Sequence, residues 1–184
     1  MGLDSSLNRY TRVAIALHWL VAALVLGQVI LGWWLSDIPR GTPARGTLVN
    51  IHKSIGLTVW GLIVIRLGWR LGHPPPPYPW LSSRWQQAAA AVNHIALYAC
   101  LIVLPLTGYL GSNFSKHGIL LYGVVRLPPW GPDDKAWYAL FNNAHIATSY
   151  LLVVLIAIHI AAAIYHAFRR DGVVGRMWPK IRAP

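Results

Sequence analysis

Four long stretches of the chain carry almost no charge, and they decide what it can become. Val13 to Leu35, Trp85 to Ser115 and Ala136 to Phe168 have no Asp, Glu, Lys or Arg at all. A fourth, His52 to Leu71, holds only Lys53, Arg66 and Arg70 near its ends. As a helix, each is long enough to cross ~30 Å of hydrocarbon, where every backbone N–H and C=O must be satisfied within the segment. The chain is 55% hydrophobic and 11% charged, against about a quarter charged in soluble domains. The spacing predicts an all-α integral membrane protein, a single domain over residues 1–184 with helices at about 13–35, 52–71, 87–111 and 138–168. The first stretch is too long for a signal-peptide core.

The connections are equally legible. Asp37-Ile38-Pro39-Arg40-Gly41-Thr42-Pro43 separates the first two helices. The run His73-Pro74-Pro75-Pro76-Pro77-Tyr78-Pro79 cannot continue a helix and reads as a stiff extended link. Leu127-Pro128-Pro129-Trp130-Gly131-Pro132 precedes the last span. Trp33, Trp34, Trp69, Trp80, Trp85, Trp130, Trp137 and Trp178 fall near the expected interfaces, as an aromatic belt does.

The net charge is +11, yet the basic residues sit at the ends of apolar segments rather than along one soluble face, which excludes a nucleic-acid partner. They suit anionic lipid headgroups. Four spans put both termini on one side. Of the sixteen Lys and Arg, Arg40, Arg45, Lys53, Lys116, Arg126 and Lys135 fall on the opposite side and the other ten with the termini. That excess predicts cytoplasmic termini in a bacterial inner membrane.

The single cysteine, Cys100, and the lack of Cys-x-x-Cys-His exclude an internal disulfide, covalent c-type haem, iron–sulfur clusters and thiolate zinc. All five acids (Asp4, Asp37, Asp133, Asp134, Asp171) lie outside the spans. Carboxylate metal sites and acid-based proton pumps lose their ligands and relays with them.

Histidine is what remains. His73 and His117 lie in loops, whereas His18, His52, His94, His145, His159 and His166 lie in or at the ends of spans, where an ionisable side chain is costly and needs a reason. His145 and His159 are fourteen residues apart, so one helix presents both on nearly one face, separated by about 21 Å. His52 begins the second span, level with His145. His18 and His94 both lie early in spans that enter from the other side, and either is level with His159. Two imidazoles facing each other across a bundle core are the axial ligands of a b-type haem, so the pattern predicts a four-helix bundle enclosing two haem b groups. The pairs are His52 with His145, and His159 with His18 or His94.

Arg66 follows His52 by fourteen residues and reaches the inner level, where a guanidinium suits haem propionates. Lys53 and Arg12 are further candidates for that contact. Gly27, Gly32, Gly56 and Gly61 would let a flat macrocycle or a neighbouring helix approach. His166, seven residues past His159, could with His94 flank a quinone headgroup, donating a hydrogen bond and relaying a proton. The six basic residues opposite the termini could steer a small anion to the outer haem, against the dilution of Asp37, Asp133 and Asp134.

An ordered set of short motifs then resembles the bacterial cytochrome b561 family, related to the cytochrome b subunits of hydrogenases and formate dehydrogenases. The set is Ala16-Leu17-His18-Trp19, Ile51-His52-Lys53-Ser54-Ile55-Gly56, Ile65-Arg66-Leu67-Gly68-Trp69-Arg70 before the prolines, Asn93-His94-Ile95-Ala96-Leu97-Tyr98, and His145 with His159. The resemblance implies that His18 pairs with His159 for the inner haem and His52 with His145 for the outer one, leaving His94 unligated. It implies electron transfer between haems and a quinone such as ubiquinone, with an outer-side donor that in some members is superoxide. The alternative is an electron-transfer anchor subunit docked to a redox protein such as a dehydrogenase or hydrogenase.

Overall fold

The structure is a computed structural model that describes residues 9–77 and 83–179. Tyr78, Pro79 and Trp80 of the proline-rich link, and the terminal charges Lys180 and Arg182, lie outside the described residues. Four helices carry the fold: α1 (Arg12–Asp37), α2 (Pro43–Gly72), α3 (Arg84–Asn113) and α4 (Lys135–Arg169). All four are long and apolar enough to cross a membrane. A two-stranded hairpin, β1 (Ile119–Leu121) with β2 (Val125–Leu127), lies between α3 and α4, and a 3-10 turn (Val174–Arg176) follows α4.

α2 begins nine residues before the apolar stretch read from the sequence. Its start is capped by Thr42, whose hydroxyl accepts from Arg45 N–H, and Pro43 takes the first turn, where a missing N–H costs nothing and φ is preset. The proline that reads as a breaker is therefore an initiator. α4 starts on Asp134, which accepts from Ala136 and Trp137 N–H. α3 starts on the Ser83–Gln86 capping box and continues through Pro105.

α1 packs chiefly on α2 and α3 on α4, and α2–α3 contacts join the two pairs. The buried layer is small and sits at mid-height: Val21 and Val25 of α1, Val59 and Ile63 of α2, Cys100 of α3 and Leu152 of α4. Leu152 is halfway between His145 and His159, and Val59 halfway between His52 and Arg66. The layer thus divides the bundle interior into two compartments. Outward, large apolar side chains such as Ile30, Val92, Ile95 and Val154 are exposed, the inverse of a soluble protein and the surface acyl chains require.

Candidate haem sites

Helix geometry delivers the histidines in facing sets. His52 stands nine residues after the start of α2 and His145 ten after the start of α4. Their ring centroids are 6.1 Å apart, with planes at 75°. At the other end, His94 lies ten residues after the start of α3 and His159 ten before the end of α4. There His18 and His159 are 6.2 Å apart and His94 and His159 5.5 Å.

These separations can be compared with what an iron between two imidazoles requires. Metal–imidazole nitrogen bonds of about 2.0–2.1 Å, with roughly 1.2 Å from each nitrogen to its ring centre, put the centroids about 6.4 Å apart. His52–His145 and His18–His159 match that spacing within a few tenths of an ångström, and His94–His159 is nearly an ångström too close. Among the described residues, no cluster of three His, Cys, Asp or Glu could hold a bare metal ion. The imidazoles suit a cofactor that brings its own equatorial ligands.

The surroundings of the outer pair fit as well. His145 Nδ1 lies 2.8 Å from the Leu104 carbonyl, which fixes that nitrogen as the N–H and frees Nε2 for a metal. Thr107 Oγ1, 3.5 Å from the same nitrogen, also donates to Leu104 O. A Cβ on Gly108 would lie 3.1 Å from the His145 ring. Among the described residues His52 Nδ1 is buried without a hydrogen-bond partner, a polar atom whose burial needs an explanation. His52, Lys53, Gly56, Pro105, Gly108, Ile119 and His145 line a common cavity.

At the inner level Arg66 of α2 reaches three groups on α1 and α3. Its Nε donates to the Tyr98 hydroxyl at 3.0 Å, Nη1 to the Ala14 carbonyl at 3.0 Å, and Nη2 lies 3.4 Å from His18 Nδ1. A cavity of about 280 Å³ opens beside it, lined by Leu67, Arg70, Ala91, His94, Ile95 and Tyr98.

The remaining candidates are distributed differently. Lys53 lines the outer cavity, with its Nζ donating to the Gly118 carbonyl at 2.9 Å. Arg12 is exposed as the first residue of α1, ~9 Å along the axis from His18. His166 does not share a partner with His94: its Nδ1 pairs with Asp171 Oδ2 at 2.6 Å, beyond the end of α4. Burial pushes the Asp171 carboxyl up, but hydrogen bonds from His166 and the Val173 N–H outweigh it and hold the group below its ordinary value. Sequence reasoning missed Thr107, Leu104 and Gly108. A glycine three residues after an intrahelical proline was the available signal.

Residues 9–180 match the family described as prokaryotic cytochrome b561. The chain belongs to that family. Its relatives include cytochrome b561 homolog 2 of Escherichia coli K12, 32% identical over 98% of this chain and 96% of that protein. Cytochrome b561 homolog 1 of the same organism is 29% identical over 95% of this chain and 99% of that protein. The probable superoxide oxidase CybB of Yersinia pestis is 29% identical over 95% and 98%. Membership makes this an electron-transfer cytochrome that binds b-type haem, a multi-pass protein of a bacterial membrane in contact with lipid.

Proposed function

We propose that this cytochrome b561 holds two b haems, one between His52 and His145 and one between His18 and His159, and passes electrons from an outer-side donor to a membrane quinone. The observation that carries the reading is the pair of ring separations, 6.1 and 6.2 Å, at two depths of one bundle. Each haem would supply a one-electron iron couple between its imidazoles. His145, oriented by Leu104 O, would offer Nε2 to the outer iron. A guanidinium can only donate, so ligation of His18 through Nε2, with the proton on Nδ1, requires Arg66 to turn from that nitrogen. A propionate is the anion that would receive it, whereas Lys53, engaged with Gly118, and Arg12, exposed at the helix start, are weaker partners for one.

The relative named as a probable superoxide oxidase supports superoxide as the donor. Two superoxide anions would each release one electron and leave as dioxygen. One ubiquinone would take up both electrons and two protons to become the quinol. His166 would act at the quinone end: with Nδ1–H donating to Asp171, Nε2 carries a proton only in the imidazolium form, and in that form it would donate to a quinone carbonyl and could yield the proton to it; His94 in the neighbouring cavity is the second candidate. The excess of basic residues on the terminal side supports cytoplasmic termini, a topology that reporter fusions at the C-terminus test.

Stopped-flow mixing of the purified protein with superoxide and a quinone analogue tests the reading. Haem reduction by superoxide followed by reoxidation by quinone is expected. Haems inert to superoxide but reduced through an added dehydrogenase would instead establish the anchor-subunit reading. His52→Ala and His145→Ala should delete the same haem; deletion of different haems would end the pairing.

A further inference from the structure

The hairpin between α3 and α4 is bound along α2 in an uncommon way. Leu120 N–H donates to Asn50 Oδ1 at 3.2 Å and Tyr122 N–H to Ser54 Oγ at 2.9 Å. Two residues of strand span about 6.8 Å and four residues of helix about 6.0 Å, so the free edge of β1 and one stripe of α2 run in register. Lys53 Nζ ties Gly118 O at the base, and the hydroxyls of Tyr122 and Thr58 meet at the tip. Val124 N–H closes the turn onto Leu121 O at 2.9 Å. Tyr122 and Gly123 take φ +49° and +74°, the two left-handed residues a tight hairpin turn needs.

The direction matters. Thr58 is halfway along α2 and six residues beyond His52, which carries the tip ~9 Å further toward the bundle centre than that histidine. The segment from Gly118 to Val125 has no charge, and Val124 is 82% exposed, Tyr122 57% and Val125 49%. Water would penalise that surface, and lipid would penalise the strand edge unless its N–H groups were satisfied. Asn50 and Ser54 satisfy two of them. Lys116 and Arg126, both exposed, bracket the apolar tip where headgroups would lie.

We propose that the hairpin Ile119–Leu127 is a re-entrant element whose tip, Tyr122 to Val125, is embedded in the acyl chains of the leaflet on the His52–His145 side. The occupant of its exposed face is lipid, continuous with the lipid-facing surface of the four spans. Its inner face, through Ile119 (3% exposed), walls the His52–His145 cavity. The hairpin thus stands between that cavity and the bilayer. The inference is independent of the donor, of the quinone and of which side of the membrane the termini occupy.

Nitroxide labelling tests it. A label on Val124→Cys, in a Cys100→Ala background, is compared with one on Lys116→Cys in phosphatidylcholine–phosphatidylglycerol vesicles, with retained haem content as the folding control. At position 124 collisions with dioxygen should exceed those with a water-soluble nickel chelate, and at position 116 the order should reverse. Val125→Cys serves if the first variant loses haem. Nickel collisions dominating at the tip would mean an aqueous hairpin, and protection from both reagents would mean a second copy or another protein on this face. Either result overturns the proposal. Removing both caps, by Asn50→Leu with Ser54→Ala, should expose the tip label to nickel, and no change would overturn the docking.

Discussion

The rings of His18, His94 and His159 make the sharpest residue-level contrast. Sequence depth alone leaves His18 and His94 equivalent, because each lies early in a span entering from the same side. Their centroids lie 6.2 and 5.5 Å from His159, and the former is the nearer to the spacing of two imidazoles on one metal, which favours the proposed pairing. His94→Ala should therefore keep two haems per chain, whereas His18→Ala should keep only the outer one; pyridine haemochrome quantification distinguishes the two. Gly108 is the second residue-scale test. The His145 ring is held by Leu104 O and cannot readily give way to a methyl group 3.1 Å from it. Gly108→Ala should lower outer haem occupancy and shift its spectrum while leaving the inner haem unchanged.

At the scale of elements, α4 carries the arrangement, since a fourteen-residue interval fixes two depths on one face whatever the neighbours do. That is why the shared face of His145 and His159 was legible in the sequence. The hairpin was not: its strands are three residues each, and what holds it is a set of contacts such as Tyr122 to Ser54, 68 positions apart. The start of α2 was hidden for another reason, because Pro43 has the same letter whether it ends a helix or opens one. The segment after α4 makes its own prediction. The lowered Asp171 carboxyl means that its hold on His166 and on the Val173 amide is fully present above the ordinary aspartate value of about 3.9 and is lost as pH falls through the lower folded-state value. The Val173 amide should be protected from hydrogen exchange at pH 6, and its protection relative to the intrinsic rate should fall only in the acid range. Asp171→Asn should remove that pH dependence, and should slow quinone reduction without altering either haem spectrum.

For the whole molecule, four spans and two histidine levels followed from charge-free length and helical repeat, and the structure brings the residues so identified together as pairs. What residue spacing could not express was the distance between helices, and hence the reach of Arg66 to Tyr98, Ala14 and His18. The purified protein should contain two b haems per chain, and a stoichiometry of one would remove one of the pairs. The dry layer of Val21, Val25, Val59, Ile63, Cys100 and Leu152 contains no titratable chain of groups to conduct a proton. In the proposed reading, an electron passing from the His52–His145 level to the His18–His159 level would cross it without a compensating ion, and turnover would do electrical work. An inside-negative voltage would oppose that step by up to about 2.3 kcal/mol per 100 mV for a full traverse. Vesicles energised with an inside-negative potassium diffusion potential should turn over more slowly than depolarised ones, and in that reading the resting voltage of the cell would act as a brake on turnover.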